Sequence, residues 1–108
     1  MTHAITDLTS LRDALRDFAA ARAWQKYHTP KNLAMAMIVE AAELVEHFQW
    51  ATPEESGSPS PEKRAAIREE VADTLIYLVE LADVLEIDLI AAARDKIIKN
   101  AIKYPAPA

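Results

Sequence analysis

The chain has 108 residues, of which 17 are acidic and 12 are basic, so its formal net charge is −5. This length fits one domain over 1–108, and the acidic balance disfavours binding to a nucleic-acid polymer. The sequence contains no cysteine, which excludes disulfides, zinc–thiolate sites and thiol catalysis and fits a reducing compartment. We therefore expect a single-domain cytoplasmic protein.

The pattern of charges also bears on targeting and membranes. Residues 1–7 lack a basic stretch followed by an apolar one, so we expect no signal peptide. Charged residues interrupt every apolar run well before it reaches membrane-spanning length. One glycine and many Ala, Leu, Glu and Arg residues favour helices over sheets. The sequence predicts an all-α protein without a membrane partner.

Four helices are predicted in chain order from the spacing of apolar residues. The first covers 10–26, with apolar residues at three- and four-residue intervals. The second begins at Pro30, with Thr29 as its N-cap, and continues to Trp50. Its circumference is apolar on most sides, which is typical of a helix that is buried on most sides.

A loop and two further helices follow. The segment 51–60 is predicted to be a loop because it holds the single glycine and two of the six prolines. The third helix runs to about residue 85, with Ser60 as cap and Pro61 in its first turn. The fourth covers 89–104 and is capped by Asp88. We expect helices 2 and 3 to be antiparallel neighbours in a four-helix bundle-like subunit.

These helices carry more apolar surface than one small monomer can cover. Helices 2 and 3 are largely apolar, and helices 1 and 4 each have an apolar face. We therefore expect a homo-oligomer, either a dimer or a tetramer, in which helices of both subunits contribute to burial.

Two acidic pairs lie within apolar text, at Glu40-x-x-Glu43 and at Glu70-x-x-Asp73. Residues three apart on a helix project to the same side, so each pair presents two carboxylates together. A desolvated carboxylate is costly unless it is paired or binds a cation. Oxygen ligands suit Mg²⁺ or Mn²⁺. The pattern therefore predicts a divalent metal held between predicted helices 2 and 3.

Two alternatives compete with this interpretation. The acids could form an ordinary solvated face, as most such pairs on amphipathic helices do. A di-iron carboxylate bundle would need Glu-x-x-His on two helices. Helix 2 offers only Glu43-x-x-x-His47 and the adjacent Glu46, and helix 3 contains no histidine, so the spacing does not match.

Other side chains are candidates for nucleotide contacts. Rings near helix ends or on the acidic stripe could stack on a base, or could be core and interface residues: Trp24, Tyr27, His28, Trp50 and Tyr77. A polar strip on the fourth helix could hold phosphate oxygens, although lysines there also complement the helix dipole: Lys96, Asn100 and Lys103, with Tyr104 adjacent.

Four sequence blocks follow one another along the chain: Trp24–Leu33, Glu40–Trp50, Glu69–Tyr77 and Lys96-x-x-x-Asn100-x-x-x-Tyr104-Pro105. In this order they resemble the MazG-type nucleoside triphosphate pyrophosphohydrolases, of the all-α NTP pyrophosphatase superfamily. The similarity is greatest to the small single-domain dCTP pyrophosphatase branch. The blocks extend over most of the chain, and their order makes the resemblance much more specific than E-x-x-E alone.

The resemblance implies hydrolysis of a nucleoside triphosphate to a monophosphate and pyrophosphate. The substrate would be dCTP or a modified pyrimidine triphosphate, and the role would be cleaning of the nucleotide pool. The metal and catalytic residues would be Glu40, Glu43, Glu70 and Asp73, with Mg²⁺ as cofactor and Mn²⁺ as a substitute. The substrate-binding residues would be Trp24, His28, Trp50 and Tyr77 for the base and sugar, and Lys96, Asn100 and Tyr104 for the phosphates, from a neighbouring subunit. Glu46 or Glu69 would help to position water.

Two departures from the family bear on the choice of base more than on the reaction. Ala42 stands where many relatives have glycine, and segment 51–60 has no familiar counterpart. A non-enzymatic helical module that binds nucleotides or a protein is the alternative from another class. The same enzyme class with another base, such as dUTP, is a third hypothesis.

Overall fold

The computed structural model describes residues 4–108, so the prediction made for residues 1–7 lies partly outside the described residues. Within this range the chain is helical and contains no strand, which confirms the all-α class. The helices are α1 (Leu8–Ala21), α2 (Pro30–Glu46), α3 (Pro53–Ser56), α4 (Pro61–Val84) and α5 (Leu89–Lys103), with a 3₁₀ turn at Gln25–Tyr27.

The helix starts follow from local side-chain chemistry. The side chains of Thr29, Ser60 and Asp88 each accept a hydrogen bond from a backbone N–H in the first turn of α2, α4 and α5. Each such cap satisfies a donor that the helix itself cannot pair. Proline stands at the first position of both α2 and α4, as predicted. All three predicted caps are therefore confirmed.

The first helix is shorter than predicted, since α1 ends at Ala21 rather than at residue 26. Ala23 takes a left-handed backbone conformation, with φ of 54°. The N–H of Trp24 donates to the carbonyl of Ala19 at 3.0 Å, and that of Ala23 donates to Ala20 at 3.1 Å. This is a Schellman ending, which usually uses glycine. Alanine at that position gave no signal in the sequence.

The segment after α2 also differs from prediction. The second helix ends at Glu46 instead of continuing to Trp50. The predicted loop 51–60 contains the one-turn helix α3. Thr52 and Glu55 stabilise it by a reciprocal capping box, in which each side chain accepts a hydrogen bond from the other's backbone N–H. Residues 4–108 therefore form four long α-helices and one short one.

The longest shared seam lies between α2 and α4, and α1 packs on α4 beside it. Close contacts pair His28 with Glu80 at one end of the seam and Glu40 with Glu70 at the other. Because the residue numbers rise along one segment while they fall along the other, the two helices are antiparallel, as predicted. The buried apolar side chains among the described residues are Ala19, Leu33, Val79 and Ala82.

A single chain leaves much of its apolar surface uncovered. Its accessible surface is 8461 Å², whereas a compact monomer of this size exposes about 6000 Å². Its radius of gyration is 16.9 Å, compared with about 13 Å for a compact domain of this length. Helix α5 has no extensive packing against any other helix of the described chain. None of the helices within 4–108 is both long enough and apolar enough to cross a membrane.

Candidate metal centre and substrate site

Three carboxylates converge where α2 faces α4. Glu40 and Glu43 project from α2, and Glu70 projects from α4. One oxygen from each lies within 4.8 Å of the oxygens of the other two. The spacing of three residues places both glutamates of α2 on one side of the helix, and the antiparallel seam brings Glu70 opposite them. We refer to these three residues as the carboxylate cluster.

The electrostatics of this cluster show that negative charge is crowded there. A hydrogen bond with Glu70, desolvation and the nearby charges of Glu43 and Asp73 raise the pKa of Glu40 to about 7. The hydrogen bond from Glu40 lowers the pKa of Glu70, but desolvation and the same neighbouring charges outweigh it and raise that pKa overall. The cluster therefore holds a proton that a cation could replace.

The donors present fit a hard divalent cation. Oxygen Oε2 of Glu70 is buried and has no hydrogen-bond partner among the described residues. Such an atom is costly unless another group satisfies it. The cluster offers oxygen ligands only, which Mg²⁺ and Mn²⁺ prefer.

The structure brings together three of the four predicted metal ligands. Asp73, the fourth, is exposed and lies outside the set of converging oxygens. Its charge nonetheless raises the pKa of both Glu40 and Glu70, so it lies at the rim of the cluster. The side chains of Glu46 and Glu69, which were candidates for positioning water, are exposed.

The acidic stripe of α4 continues beyond the cluster. Tyr77 lies one turn after Asp73, and desolvation, followed by the charges of Glu40, Glu80 and Asp73, raises the pKa of its hydroxyl. Glu80 follows Tyr77 by three residues and meets His28, with 3.0 Å between Oε2 and Nδ1. Glu80 was not among the residues predicted from the sequence, although its spacing from Asp73 and Tyr77 places it on the same stripe.

The two tryptophans lie at different places. Trp24 follows α1 and packs edge-to-face on Phe18, with ring centroids 5.7 Å apart, and Arg22 stacks over Phe18 at 3.5 Å. Trp50 is 90 % exposed and lines a cavity of about 470 Å³ between the end of α2 and the segment around α3. One chain therefore leaves Trp50 free to contact a base or a second subunit.

The predicted phosphate-binding residues are all on α5 or directly after it. Lys96 and Tyr104 are exposed and Asn100 is partly exposed. Because α5 does not pack extensively on α2 or α4, the chain does not bring these three residues to its own carboxylate cluster.

The fold and site define an all-α protein with a carboxylate centre suited to a hard divalent cation. The model of the MazG-like family matches residues 35–108. The chain therefore belongs to the MazG-like family, as the sequence blocks indicated.

Individual relatives agree with this assignment. The chain is 45% identical over 101 residues to dCTP pyrophosphatase 1 of Homo sapiens, covering 92% of this chain and 59% of that protein. It is 44% identical over 100 residues to dCTP pyrophosphatase 1 of Bos taurus, covering 91% and 59%. The chain thus spans about three fifths of the length of these mammalian relatives.

A solved structure shows the same fold. A pyrophosphatase from Archaeoglobus fulgidus DSM 4304 superposes with a TM-score of 0.87 at 44% sequence identity. The match covers 98% of this chain and 99% of that chain, so the arrangement of helices is shared throughout.

Proposed function

We propose that this protein is a Mg²⁺-dependent nucleoside triphosphate pyrophosphohydrolase, which converts a triphosphate and water into a monophosphate and pyrophosphate. The observation that carries the proposal is the carboxylate cluster, in which three oxygens within 4.8 Å of one another come from two facing helices. A cluster of this kind can hold a divalent cation, and proteins commonly bind triphosphates through such cations. The names of the relatives support the reaction class.

In this mechanism Glu40, Glu43 and Glu70 would hold the cation, and Asp73 would complete the acidic rim. Bound Mg²⁺ would neutralise charge on the triphosphate and polarise its phosphorus–oxygen bonds. A spare carboxylate oxygen orients a water for attack on the α-phosphorus. The bond from that phosphorus to the bridging oxygen then breaks, and pyrophosphate leaves. Glu46 and Glu69 are the proposed alternatives for the residue that positions the water.

For the substrate we propose dCTP or a modified pyrimidine triphosphate. The mammalian relatives are named for dCTP, and they share more than two fifths of their aligned residues with this chain. The base and sugar would lie along the stripe beyond the cluster, between Tyr77 and His28, with Trp24 as a further ring contact. Trp50 follows the opposite end of α2, so as a ring contact it would come from a second subunit. Pool cleaning in the cytoplasm remains a prediction.

We further propose that the working protein is a homo-oligomer. The excess of exposed surface and the unpacked α5 support this, because apolar side chains on that helix are left open. Ile97 is 68 % exposed and Ile102 is 79 % exposed. A second subunit that packs on α5 would bury these isoleucines. Lys96, Asn100 and Tyr104 of the first subunit would then lie beside the carboxylate cluster of the second.

The reaction is tested by incubating the protein with each common triphosphate and several modified ones in Mg²⁺, and resolving the products. We expect selective release of monophosphate and pyrophosphate. In Glu40→Gln we expect the rate of hydrolysis to fall by about 10²-fold or more, as it does when a group that stabilises transition-state charge is removed. Glu62→Gln, an exposed change at the start of α4, serves as the matched control. Failure to hydrolyse any triphosphate with Mg²⁺ or Mn²⁺ would favour a non-enzymatic binding module.

A further inference from the structure

The contact between His28 and Glu80 lies apart from the carboxylate cluster. The two side chains are 20 % and 14 % exposed, and Nδ1 of the imidazole is 3.0 Å from Oε2 of the carboxylate. That oxygen is buried, and no hydrogen bond of ordinary geometry reaches it from any described residue. A rotation of the ring would be needed to align its N–H with this oxygen. The imidazole is thus the natural partner of a carboxylate that otherwise lacks one.

The position of this pair relates it to the site. Glu80 follows Glu70 by ten residues on one straight helix, which is about 15 Å along the axis. Tyr77 lies between Glu70 and Glu80 on this helix, and the charges of Glu40 and Glu80 both raise the pKa of its hydroxyl. The pair therefore closes the end of the stripe along which the nucleoside would extend if the cluster holds the phosphates.

We propose that Glu80 is a positioning residue for His28: its carboxylate accepts the Nδ1–H, which leaves Nε2 to accept a hydrogen bond from the bound nucleoside. The partner of one imidazole nitrogen fixes which nitrogen carries the proton and how the ring is turned. An imidazole held in this way recognises a hydrogen-bond donor, either an amino group of the base or a hydroxyl of the sugar. This inference rests on the proposed nucleotide hydrolysis.

Charged groups around the pair are few and are paired with one another. Asp83 is three residues beyond Glu80 on α4, and its carboxylate binds Arg16 of α1, with 2.8 Å between Nε and Oδ2. Arg12 of α1 hydrogen-bonds Asp13 at 2.9 Å. Desolvation raises the pKa of Glu80 overall; a positive charge on His28 would lower it, and the charge of Asp83 adds to the increase. His28 is therefore the partner that favours the charged carboxylate.

The test combines a spectroscopic and a kinetic measurement. Long-range ¹H–¹⁵N spectra of the metal-free protein report the tautomer of each histidine, and we expect His28 to carry its proton on Nδ1. In Glu80→Ala we expect the ring to revert to the common Nε2–H form. The KM for dCTP should rise about tenfold with kcat little changed, since the lost interaction acts on binding. Glu62→Gln should show neither change.

The double variant His28→Ala with Glu80→Ala shows whether Glu80 acts through His28. We expect its KM to match that of His28→Ala alone, because a positioning residue has no effect once its target is gone. A parallel rise for dCTP and dUTP would assign the donor to the sugar, and a rise for dCTP alone would assign it to the base amino group.

Three results would overturn the proposal: an Nε2–H tautomer in the unmodified protein, additive losses in the double variant, or an unchanged KM in a folded Glu80→Ala. If Glu80→Ala does not fold, the tautomer of the unmodified protein still decides. Absence of all triphosphate hydrolysis would refute the proposed function and the binding role of the pair, whereas hydrolysis with the wrong tautomer would refute the inference alone.

Discussion

The protonation of Glu40 connects single residues to both stability and metal binding. Its pKa of about 7 lies far above the ordinary 4.5 because the carboxylates of the cluster crowd one another. The unfolded chain ionises this group near 4.5, but the folded chain does so only near 7. The resulting stability is therefore fully present below pH 4.5, and is lost as the pH rises through 7.

Replacing this carboxylate should stabilise the metal-free protein. In EDTA at pH 8 we expect Glu40→Gln to melt about 3 °C above the unmodified protein, because one of the repelling charges is gone. At pH 4 the difference should vanish, since Glu40 is then protonated. Thermal unfolding followed by circular dichroism measures both values. If Glu40→Gln melts below the unmodified protein at pH 8, the explanation is contradicted.

With added Mg²⁺, the unmodified protein should become more stable than Glu40→Gln. The cation neutralises the cluster of the unmodified protein, and it has fewer ligands in Glu40→Gln, so only the former should gain substantial stability from added Mg²⁺. Binding should also tighten between pH 6 and pH 8 and release a proton, because Glu40 must ionise to act as a ligand. Calorimetry in two buffers of different ionisation enthalpy measures that proton. Equal affinity at both pH values would be inconsistent with this.

For single residues, the sequence predicted those features of the site that depend only on neighbours along one helix. Glu40 and Glu43 are three residues apart in apolar text, so their common direction follows from helical spacing alone. The pairing of Glu80 with His28 could not be predicted, because it depends on the register between two segments 52 positions apart. Asp73 shares the spacing rule with Glu70 but remains at the rim, since spacing fixes direction and not distance to the opposite helix.

At the scale of elements, an ion pair ties α1 to α4. Arg16 donates two hydrogen bonds to the carboxylate of Asp83, and this interaction lowers the pKa of Asp83 below its ordinary 3.8. The stabilisation is therefore present above pH 3.8 and is lost as the pH falls through the lowered value.

Asp83→Asn should cost about 1 kcal/mol at pH 7, near the upper end for exposed pairs because the contact is bidentate. Urea unfolding at pH 7 and at pH 2.5 measures the cost, which should be smaller at the lower pH because Asp83 becomes protonated as the pH falls through its lowered pKa. A double-mutant cycle with Arg16→Leu isolates the pair. An equal cost at both pH values would show that packing, and not charge, is responsible.

The end of α4 repeats the ending of α1. Glu86 has φ of 56°, and the N–H of Ile87 donates to the carbonyl of Ala82 at 2.8 Å, again a Schellman ending without glycine. Glu86→Gly should raise the free energy of unfolding by about 0.5–1 kcal/mol, because glycine takes this conformation without a steric penalty. Arg68→Gly, in the middle of α4, should instead lower it by about 1 kcal/mol. Destabilisation by Glu86→Gly would argue against this ending.

Helix starts and ends differed in how well they could be predicted. Side-chain caps and first-turn prolines can be recognised from the identity of the residue alone. The starts of α2, α4 and α5 were therefore predicted correctly. The predicted ends of α1 and α2 were wrong by five and four residues. Backbone hydrogen bonds made by non-glycine residues define the end of α1, and residue type alone does not reveal them.

At the scale of the whole molecule, the proposed homo-oligomer would cover apolar surface that one chain leaves open. Four apolar side chains are buried among the described residues, and the chain exposes about 2500 Å² more than a compact monomer of its size. That excess is in the range that stable dimers bury. The composition predicted the excess of apolar surface, but the direction in which α5 leaves α4 could be seen only in three dimensions.

Charged substitutions on the exposed apolar face of α5 should dissociate the proposed oligomer. We expect the double variant Ile97→Asp with Ile98→Asp to elute as a monomer, because both side chains are at least 60 % exposed in one chain and would be buried by a second. Light scattering during size-exclusion chromatography measures the mass, and Lys99→Asp is the control. If α5 of a second subunit completes the site, activity should fall with the oligomer. A monomeric unmodified protein with full activity would disprove this.

The most direct test of the central claim is hydrolysis of dCTP with Mg²⁺ in water enriched in oxygen-18. Mass spectrometry of the products shows both which bond breaks and which phosphorus the water attacks. We expect dCMP that carries one labelled oxygen, together with unlabelled pyrophosphate, and strong loss of both in Glu40→Gln. Label in pyrophosphate, release of single phosphate, or no turnover on dCTP or any other triphosphate would contradict the proposed reaction.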